Sequence, residues 1–385
     1  MRIVIAPDSF KGSIAATAAA AALAEGWRQQ RGDGDEITCI PLADGGEGTL
    51  DVLAAAVPGA RWQQATVSGP GRDRVAGCWL ELPDRTAVVE LARASGLPLL
   101  ASPDPMGAHT AGTGELIGRA LDAGAARIVL GLGGSASTDG GTGALTALGA
   151  RFLDAAGTAL PPGGGALGEL ASADLSGLRP PPPGGLTCLT DVTAPLLGPA
   201  GAAAVFGPQK GASPAQAAAL DAGLARLARL LGGDPAAPGA GAAGGTGYGF
   251  AAAWGAVIRP GAAELSRIAG LGAALARAGL VITGEGRYDR TSTAGKVTGA
   301  VLAAAAAARV PAALVAGSIA ADAPAGSWRG ISLGELAGST AAARADPARW
   351  LRRAGRLLAA GWGTDGPGEY GLGEVTGAGS DPGRG

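Results

Sequence analysis

Short apolar runs, each ended by a polar, glycine-bearing loop, recur from one end of the chain to the other. Residues 2–6 read as a buried strand, 13–30 as an Ala-rich helix, 36–42 as a second strand and 47–57 as a second helix. That order predicts a parallel sheet with helices on its faces. Alternating runs at 62–67, 75–82 and 86–91 break the rhythm and predict antiparallel or mixed strands, so a second domain is placed from about residue 66. Helix 114–123, strand 127–132 and a helix running on from Asp139 restore the alternation. Proline and glycine crowd residues 157–185, which predicts an irregular surface connection. Strands 186–189 and 280–282 bracket two Ala/Leu helices, 214–231 and 261–278, with a glycine-rich span 232–249 between them. A helix 293–308, a strand 312–316, an apolar run 331–333 and a helix 347–360 follow, and residues 363–385 are too poor in apolar side chains to order themselves.

Length agrees with two domains, since 385 residues exceed the roughly 250–300 that one core usually holds. Lys and Arg number 30 against 32 Asp and Glu, with no basic block, which argues against nucleic acid as a partner. Cys39, Cys78 and Cys188 stand far apart in apolar surroundings and suggest neither a zinc site nor a disulfide framework. A single histidine, His109, excludes a His-rich metal cage. The apolar run at residues 1–5 is too short for a signal peptide. The Ala-rich stretch 299–322 is broken by Arg309 and Pro311, so no membrane span is expected and the protein is placed in the cytoplasm. Glycine at 70 and proline at 26 reflect partly a compositional bias, so glycines carry weight only beside polar or charged residues.

Five loops meet that condition. Asp8, Ser9 and Lys11 lie between a strand and a helix, where N–H groups and an ammonium favour a bound anion, although Ser13 could be a simple N-cap. Asp44-Gly45-Gly46-Glu47 repeats the logic with two carboxylates, which suit either Mg²⁺ or helix capping. The donor-rich loop Gly133-Gly134-Ser135-Ala-Ser-Thr138-Asp139 is suited to wrapping phosphate oxygens or a small polyhydroxylated acid. Asp191 and Thr193 follow the strand 186–189, with Gln209 and Lys210 beyond them; Asp191 reads as a general base or a metal ligand. Glu285, Arg287, Asp289 and Lys296 form a charged run after the strand 280–282. Gly245 and Gly247 mark a further candidate nucleotide-facing loop. Carboxylates, cations and backbone donors in such loops are what phosphoryl transfer requires. There is no G-x-x-x-x-G-K-[ST] string and no H-R-D or D-F-G signature, so P-loop NTPases and protein kinases are excluded. Gly131-Leu-Gly133-Gly-Ser-Ala136 imitates a dinucleotide fingerprint but lacks a clearly placed acidic residue on a following strand.

As a set, these strings resemble the bacterial glycerate kinase family, in the family's order from residue 1 to about 362. The resemblance implies an α/β protein of two domains: a flavodoxin-like parallel-sheet domain built from residues 1–65 and 282–362, an inserted mixed-sheet α/β domain at 66–281, and a flexible tail at 363–385. It implies ATP-dependent phosphorylation of D-glycerate, chiefly to 2-phosphoglycerate, with Mg²⁺ bridging the nucleotide phosphates. On that model Asp191 is the base, with Asp44 as second choice, Lys11 and Lys296 are phosphate cations, and Glu285 and Asp289 are metal-side carboxylates. Thr291 and Ser137 depart from the family pattern, standing where glutamine and threonine are usual. Competing readings are a kinase of a related hydroxy acid or sugar acid and a non-catalytic metabolite sensor on the same fold. Oligomeric state is not encoded in any of these motifs.

Overall fold

A computed structural model describes residues 1–293, 296–324, 326, 328–363 and 366–367. Apart from 363, 366 and 367, the expected flexible tail lies outside the described residues. The chain forms two compact units, Met1–Leu42 with Gly270–Gly385, and Ala43–Ala269. The first contains β1 (Arg2–Ile5), α1 (Ala16–Arg31) and β2 (Glu36–Cys39). The second opens with α2 (Thr49–Ala56), β3 (Arg61–Ser68), β4 (Arg74–Glu81), β5 (Thr86–Glu90) and α3 (Ala92–Ser95). It continues through α4 (Ala111–Asp122), β6 (Arg127–Gly131), α5 (Thr142–Ala147), β7 (Arg151–Leu153), β8 (Ser172–Asp174), β9 (Leu186–Leu189) and α6 (Ala202–Phe206). It closes with α7 (Pro214–Leu231), α8 (Ala242–Trp254), β10 (Val257–Arg259) and α9 (Gly261–Ile268). The chain then returns to the first unit for α10 (Leu271–Leu275), β11 (Leu280–Tyr288), α11 (Val297–Ala308), β12 (Ala312–Ile319), β13 (Trp328–Ser332), α12 (Leu333–Ala337), α13 (Thr340–Ala345) and α14 (Pro347–Gly361).

Unit 1 is a five-stranded parallel sheet in the order β13-β12-β11-β1-β2, the flavodoxin-like arrangement built from both chain ends. Ile3, Ile5, Leu280 and Ile282 bury one face against Leu23 and Trp27 of α1 and Leu351 and Leu358 of α14. Glycine brings those two helices together: a Cβ on Gly26 would stand 2.0 Å from Arg352 O, and one on Gly355 would stand 2.4 Å from Leu23 O. Unit 2 has a six-stranded mixed sheet, β10-β9-β6-β5-β4-β3, parallel from β10 to β5 and antiparallel from there to β3. Val89, Ile128, Leu130 and Cys188 join Leu116 and Ile117 of α4 and Leu224 and Leu227 of α7 in its core. Among the described residues no helix is long and apolar enough to cross a membrane.

The division falls at 42/43 and 269/270, whereas the family resemblance implies 65/66 and 281/282. Pairing explains the first shift: β3 is hydrogen-bonded along its length to β4, from Arg61 opposite Glu81 to Ser68 opposite Arg74, so 43–65 belong with the mixed sheet. The second follows from Gly270, whose φ of 74° ends α9 and splits the expected helix 261–278 in two. Residues 157–185 are less irregular than their composition suggests. They carry the 3₁₀ turn Gly164–Glu169 and β8, which pairs with β7, and Leu167 and Leu170 are buried.

Candidate active site

In unit 2, tight turns converge on the carboxyl edge of β6 and β9, and glycine is what allows it. A Cβ on Gly131 would stand 2.5 Å from Gly45 O, and one on Gly133 would stand 2.4 Å from Gly46 Cα. Gly45, at φ 89°, closes the arrangement against Leu189. Asp44 Oδ1 accepts from Gly46 N at 3.0 Å, which shapes the turn, and Glu47 is exposed beyond it. From the end of β9, Asp191 reaches across to α9, where its Oδ1 accepts from Gly261 N at 2.9 Å. Gly261 also packs on the Asp44 turn, since a Cβ there would stand 1.9 Å from Asp44 O. Asp44 and Asp191 are therefore joined through a glycine that no sequence motif marks, and Gly133 packs on Gly46 of the same turn.

Behind this edge stands a brace anchored on the buried Glu90. Glu90 Oε1, at the end of β5, accepts from Leu50 N at 2.7 Å, and Arg93 joins Glu90 at 3.0 Å to Asp51 at 2.7 Å. Burial raises the Glu90 pKa, against the Leu50 N–H and the Arg93 charge. The brace holds the first turn of α2, directly after the Asp44 turn. Its only sequence signal is an acidic residue ending an otherwise apolar strand.

The 133–141 loop has an open tip and a sealed base. Gly134 is exposed at the tip, and Ser135 Oγ accepts from Ser137 N at 3.2 Å. At the base Asp139, 0% exposed, accepts from Thr110 N, Thr110 Oγ1, Gly141 N and Gly143 N at 2.9, 2.8, 3.1 and 3.2 Å. Asp139 is thus fully engaged inside the protein, and Thr138 is buried beside it. Lys210, expected near a ligand, is 2% exposed and donates to Ser137 O. Its neighbour Gln209 is exposed, as is Thr193. Gly245 and Gly247, expected to face a nucleotide, pack internally: a Cβ on Gly245 would stand 2.7 Å from Leu196 Cδ1, and one on Gly247 would stand 3.2 Å from Leu132 Cδ1.

Unit 1 carries the other charged loops on its own sheet edge. The β1 loop runs beside β11, with Asp8 N donating to Gly284 O at 2.8 Å and Thr283 Oγ1 donating to Ala6 O at 2.8 Å. Asp8 is buried, its Oδ1 accepting from Ser9 N at 2.6 Å. Gly286 lets the two loops close, since a Cβ there would lie 3.4 Å from Lys11 N. Along β11 and beyond, Asp289 accepts from Thr291 N at 2.9 Å, from Thr291 Oγ1 at 2.7 Å and from Arg287 Nε at 3.2 Å. Lys296, at the start of α11, donates to Thr291 Oγ1 at 2.7 Å, so Thr291 links the ammonium to the carboxylate. The Thr291 hydroxyl, its backbone N–H and then the Lys296 and Arg287 charges hold the Asp289 pKa down. Glu285 is 8% exposed, and its Oε1 takes no hydrogen bond among the described residues. Burial raises its pKa, opposed by the Ser292 and Thr298 hydroxyls and the Lys296 charge.

A buried, unspent carboxylate oxygen fits a cation. Among the described residues no three His, Cys, Asp or Glu side chains gather as a metal cage. Mg²⁺ needs none, because it binds through one or two carboxylates, waters and substrate phosphates. Glu285 fits that demand through Oε1, whereas the Asp289 carboxylate already accepts from Thr291 and Arg287.

Comparison with known proteins agrees with the motifs. The model of the Glycerate kinase family matches residues 3–362. Glycerate 2-kinase of Escherichia coli (strain K12) is 41% identical over 306 residues, which cover 77% of this chain and 80% of that protein. Glycerate kinase of Bacillus subtilis (strain 168) is 42% identical over 310 residues, covering 77% and 79%. A crystal structure carrying the name glycerate kinase 2, from Salmonella typhimurium LT2, superposes with a TM-score of 0.80 at 39% identity and covers 94% of this chain and 97% of that one.

Proposed function

The chain belongs to the glycerate kinase family, phosphotransferases with an alcohol group as acceptor, and on that premise we propose that it transfers the γ-phosphoryl group of ATP to the 2-hydroxyl of D-glycerate, giving 2-phosphoglycerate. The observation that carries this reading is the meeting of the Asp44, Gly133 and Asp191 turns at one carboxyl edge, with Gly261 beneath them. Two carboxylates and exposed glycine backbone there offer a small polyhydroxylated acid both acceptors and donors.

Within unit 2, Asp191 is assigned to take the hydroxyl proton as the new P–O bond forms, and Asp44 is the second candidate. Gly261 N fixes one Asp191 oxygen, which orients the carboxylate without a side chain to crowd the substrate. The tip at Gly134 is assigned to substrate oxygens. Within unit 1, Lys11 and Lys296 are assigned to phosphate oxygens, with Thr291 holding the Lys296 ammonium in place. Glu285 and Asp289 are assigned to the metal. When bound, Mg-ATP supplies the phosphoryl group and a divalent charge on its oxygens.

The test is ADP release by the purified protein with Mg-ATP, with and without D-glycerate, with enolase present to turn 2-phosphoglycerate into an absorbing product. Glycerate-dependent ADP with the enolase signal is the predicted result. ADP without that signal would move the reaction to the 3-hydroxyl, and no dependence on glycerate would overturn the substrate.

A further inference from the structure

The sequence holds three lysines, Lys11, Lys210 and Lys296, and they sit in different surroundings. Lys11 is exposed and Lys296 half-buried, whereas Lys210 is 2% exposed. A lysine this buried carries a desolvation penalty that some interaction must offset. Its acceptor among the described residues is a backbone carbonyl, Ser137 O, at the base of the 133–141 loop. The same carbonyl is flanked by Gly244, where a Cβ would stand 2.1 Å from Ser137 O, and Gly140 N donates to Gly244 O at 3.0 Å. Only a residue without a Cβ fits at Gly244, whose φ is 63°.

The turn Pro208–Lys210 is built to aim this side chain inward. Lys210 N donates to Gly207 O at 2.9 Å, and Gly211, at φ 87°, ends the turn against Pro103. Asp139 is the charged group that acts on Lys210, drawing its pKa up, while burial draws it down further, to about 8. The neighbouring α6 carries no titratable side chain, and Asp104, on the segment beside Gly211, spends its Oδ1 on Gly107 N at 2.8 Å.

We propose that Lys210 is a positioning residue: its ammonium, sealed inside unit 2, pins the Ser137 carbonyl and so sets the 133–141 loop, whose tip carries Gly134, without itself touching a substrate. The inference rests on the kinase reading for its catalytic consequence and on burial and hydrogen bonding for its structural one. A loop displaced by about 1 Å costs on the order of 10²-fold in rate when it orients a substrate.

Two experiments test it and separate its failure from that of the kinase reading. Reductive methylation of the native enzyme, read by peptide mass spectrometry, needs no activity. Lys11 and Lys296 are expected to react, and Lys210 to stay protected to the same degree with and without D-glycerate and Mg-ADP. Reaction of Lys210 in the native enzyme, blocked by D-glycerate or Mg-ADP, would make it a substrate contact and overturn the proposal. Second, Lys210→Met keeps the aliphatic stem. It is expected to speed hydrogen exchange of loop 133–141 selectively and to lower kcat/KM for D-glycerate by on the order of 10- to 100-fold. Wild-type kcat/KM is expected to fall above about pH 8 as the ammonium is lost, and the variant to lack that limb. A folded Lys210→Met protein with unchanged loop exchange would overturn the proposal even if the enzyme proved to act on another acid. Lys210→Arg, which keeps the charge but not the shape, provides the second variant should methionine fail to fold.

Discussion

Replacing Lys210 with methionine isolates the energetic cost of one buried charge. The Lys210 pKa lies at about 8 in the folded protein against an ordinary 10.5, chiefly because burial disfavours the ammonium. Since this folded pKa is depressed, the unfolded chain binds more protons between those two values. The penalty is therefore fully present below about pH 8 and relieved as pH rises toward 10.5. At roughly 1.4 kcal/mol per pKa unit, the full penalty is about 3–4 kcal/mol, of which about 2–3 kcal/mol is relieved between pH 7 and pH 10. The absolute difference between wild type and Lys210→Met at pH 7 is a poor test, because the variant sheds the penalty but leaves Ser137 O with a weaker donor, Ser135 Oγ at 3.3 Å. Its pH dependence is the test. Cys188, whose pKa burial pushes up to about 12, and the buried tyrosines also change stability at high pH, but equally in both proteins. Denaturant unfolding followed by circular dichroism at pH 7 and pH 10 gives the double difference, taken on the transition the substitution moves. Wild type should gain about 2–3 kcal/mol relative to the variant over that range. A difference that stays constant within about 0.5 kcal/mol would refute a buried, charged Lys210.

Other substitutions probe the remaining parts. Gly261→Ala places a Cβ 1.9 Å from Asp44 O, so it should destabilise by about 1–3 kcal/mol in thermal unfolding and lower kcat/KM at least as much as Asp44→Asn. Asp139→Ala leaves four donors unsatisfied in the interior and should cost about 3–5 kcal/mol, read as a lost or strongly lowered Tm. Thr291→Val removes the link between Lys296 and Asp289 on an exposed loop, so Tm should hold within a degree or two while KM for ATP rises by about 3- to 10-fold, a loss of about 1 kcal/mol. Glu285→Gln should raise the Mg²⁺ concentration for half-maximal activity by about ten-fold or more, whereas an unchanged Mg²⁺ dependence would remove Glu285 from the metal.

Where hydrophobic periodicity and caps agree, the sequence pattern and the fold coincide. The helix expected at 214–231 appears as Pro214–Leu231, because Ser213 and Gln216 form a capping box, proline opens the first turn and Gly232 follows the last. The strands from 61 to 90 were legible for the same reason, as alternation on a half-buried sheet. Domain boundaries were not, because they depend on which strands pair, and β3 chooses β4 over the sheet that the chain has just left. Site residues divide along a similar line. Charge in a glycine-bearing loop marked the Asp8, Asp44, Asp191 and Glu285 turns. It could not distinguish Gly134, at an open tip, from Asp139, buried at the base of the same loop, or Lys210, buried in the turn after α6, since all three are small or charged residues in glycine-bearing loops. Gly261 carried no signal, because its role depends on a backbone approach made from residues far away in sequence.

The central claim is that this chain phosphorylates D-glycerate on its 2-hydroxyl with Asp191 as the base. Its most direct test is ³¹P NMR of the product formed from Mg-ATP and D-glycerate by wild type and by Asp191→Asn. Phosphorus on C2 couples to one proton and on C3 to two. The account predicts a doublet from wild type and, from the folded variant, the same doublet formed on the order of 10²- to 10⁴-fold more slowly. A triplet, no glycerate-derived phosphate ester, or a variant as fast as wild type would contradict it.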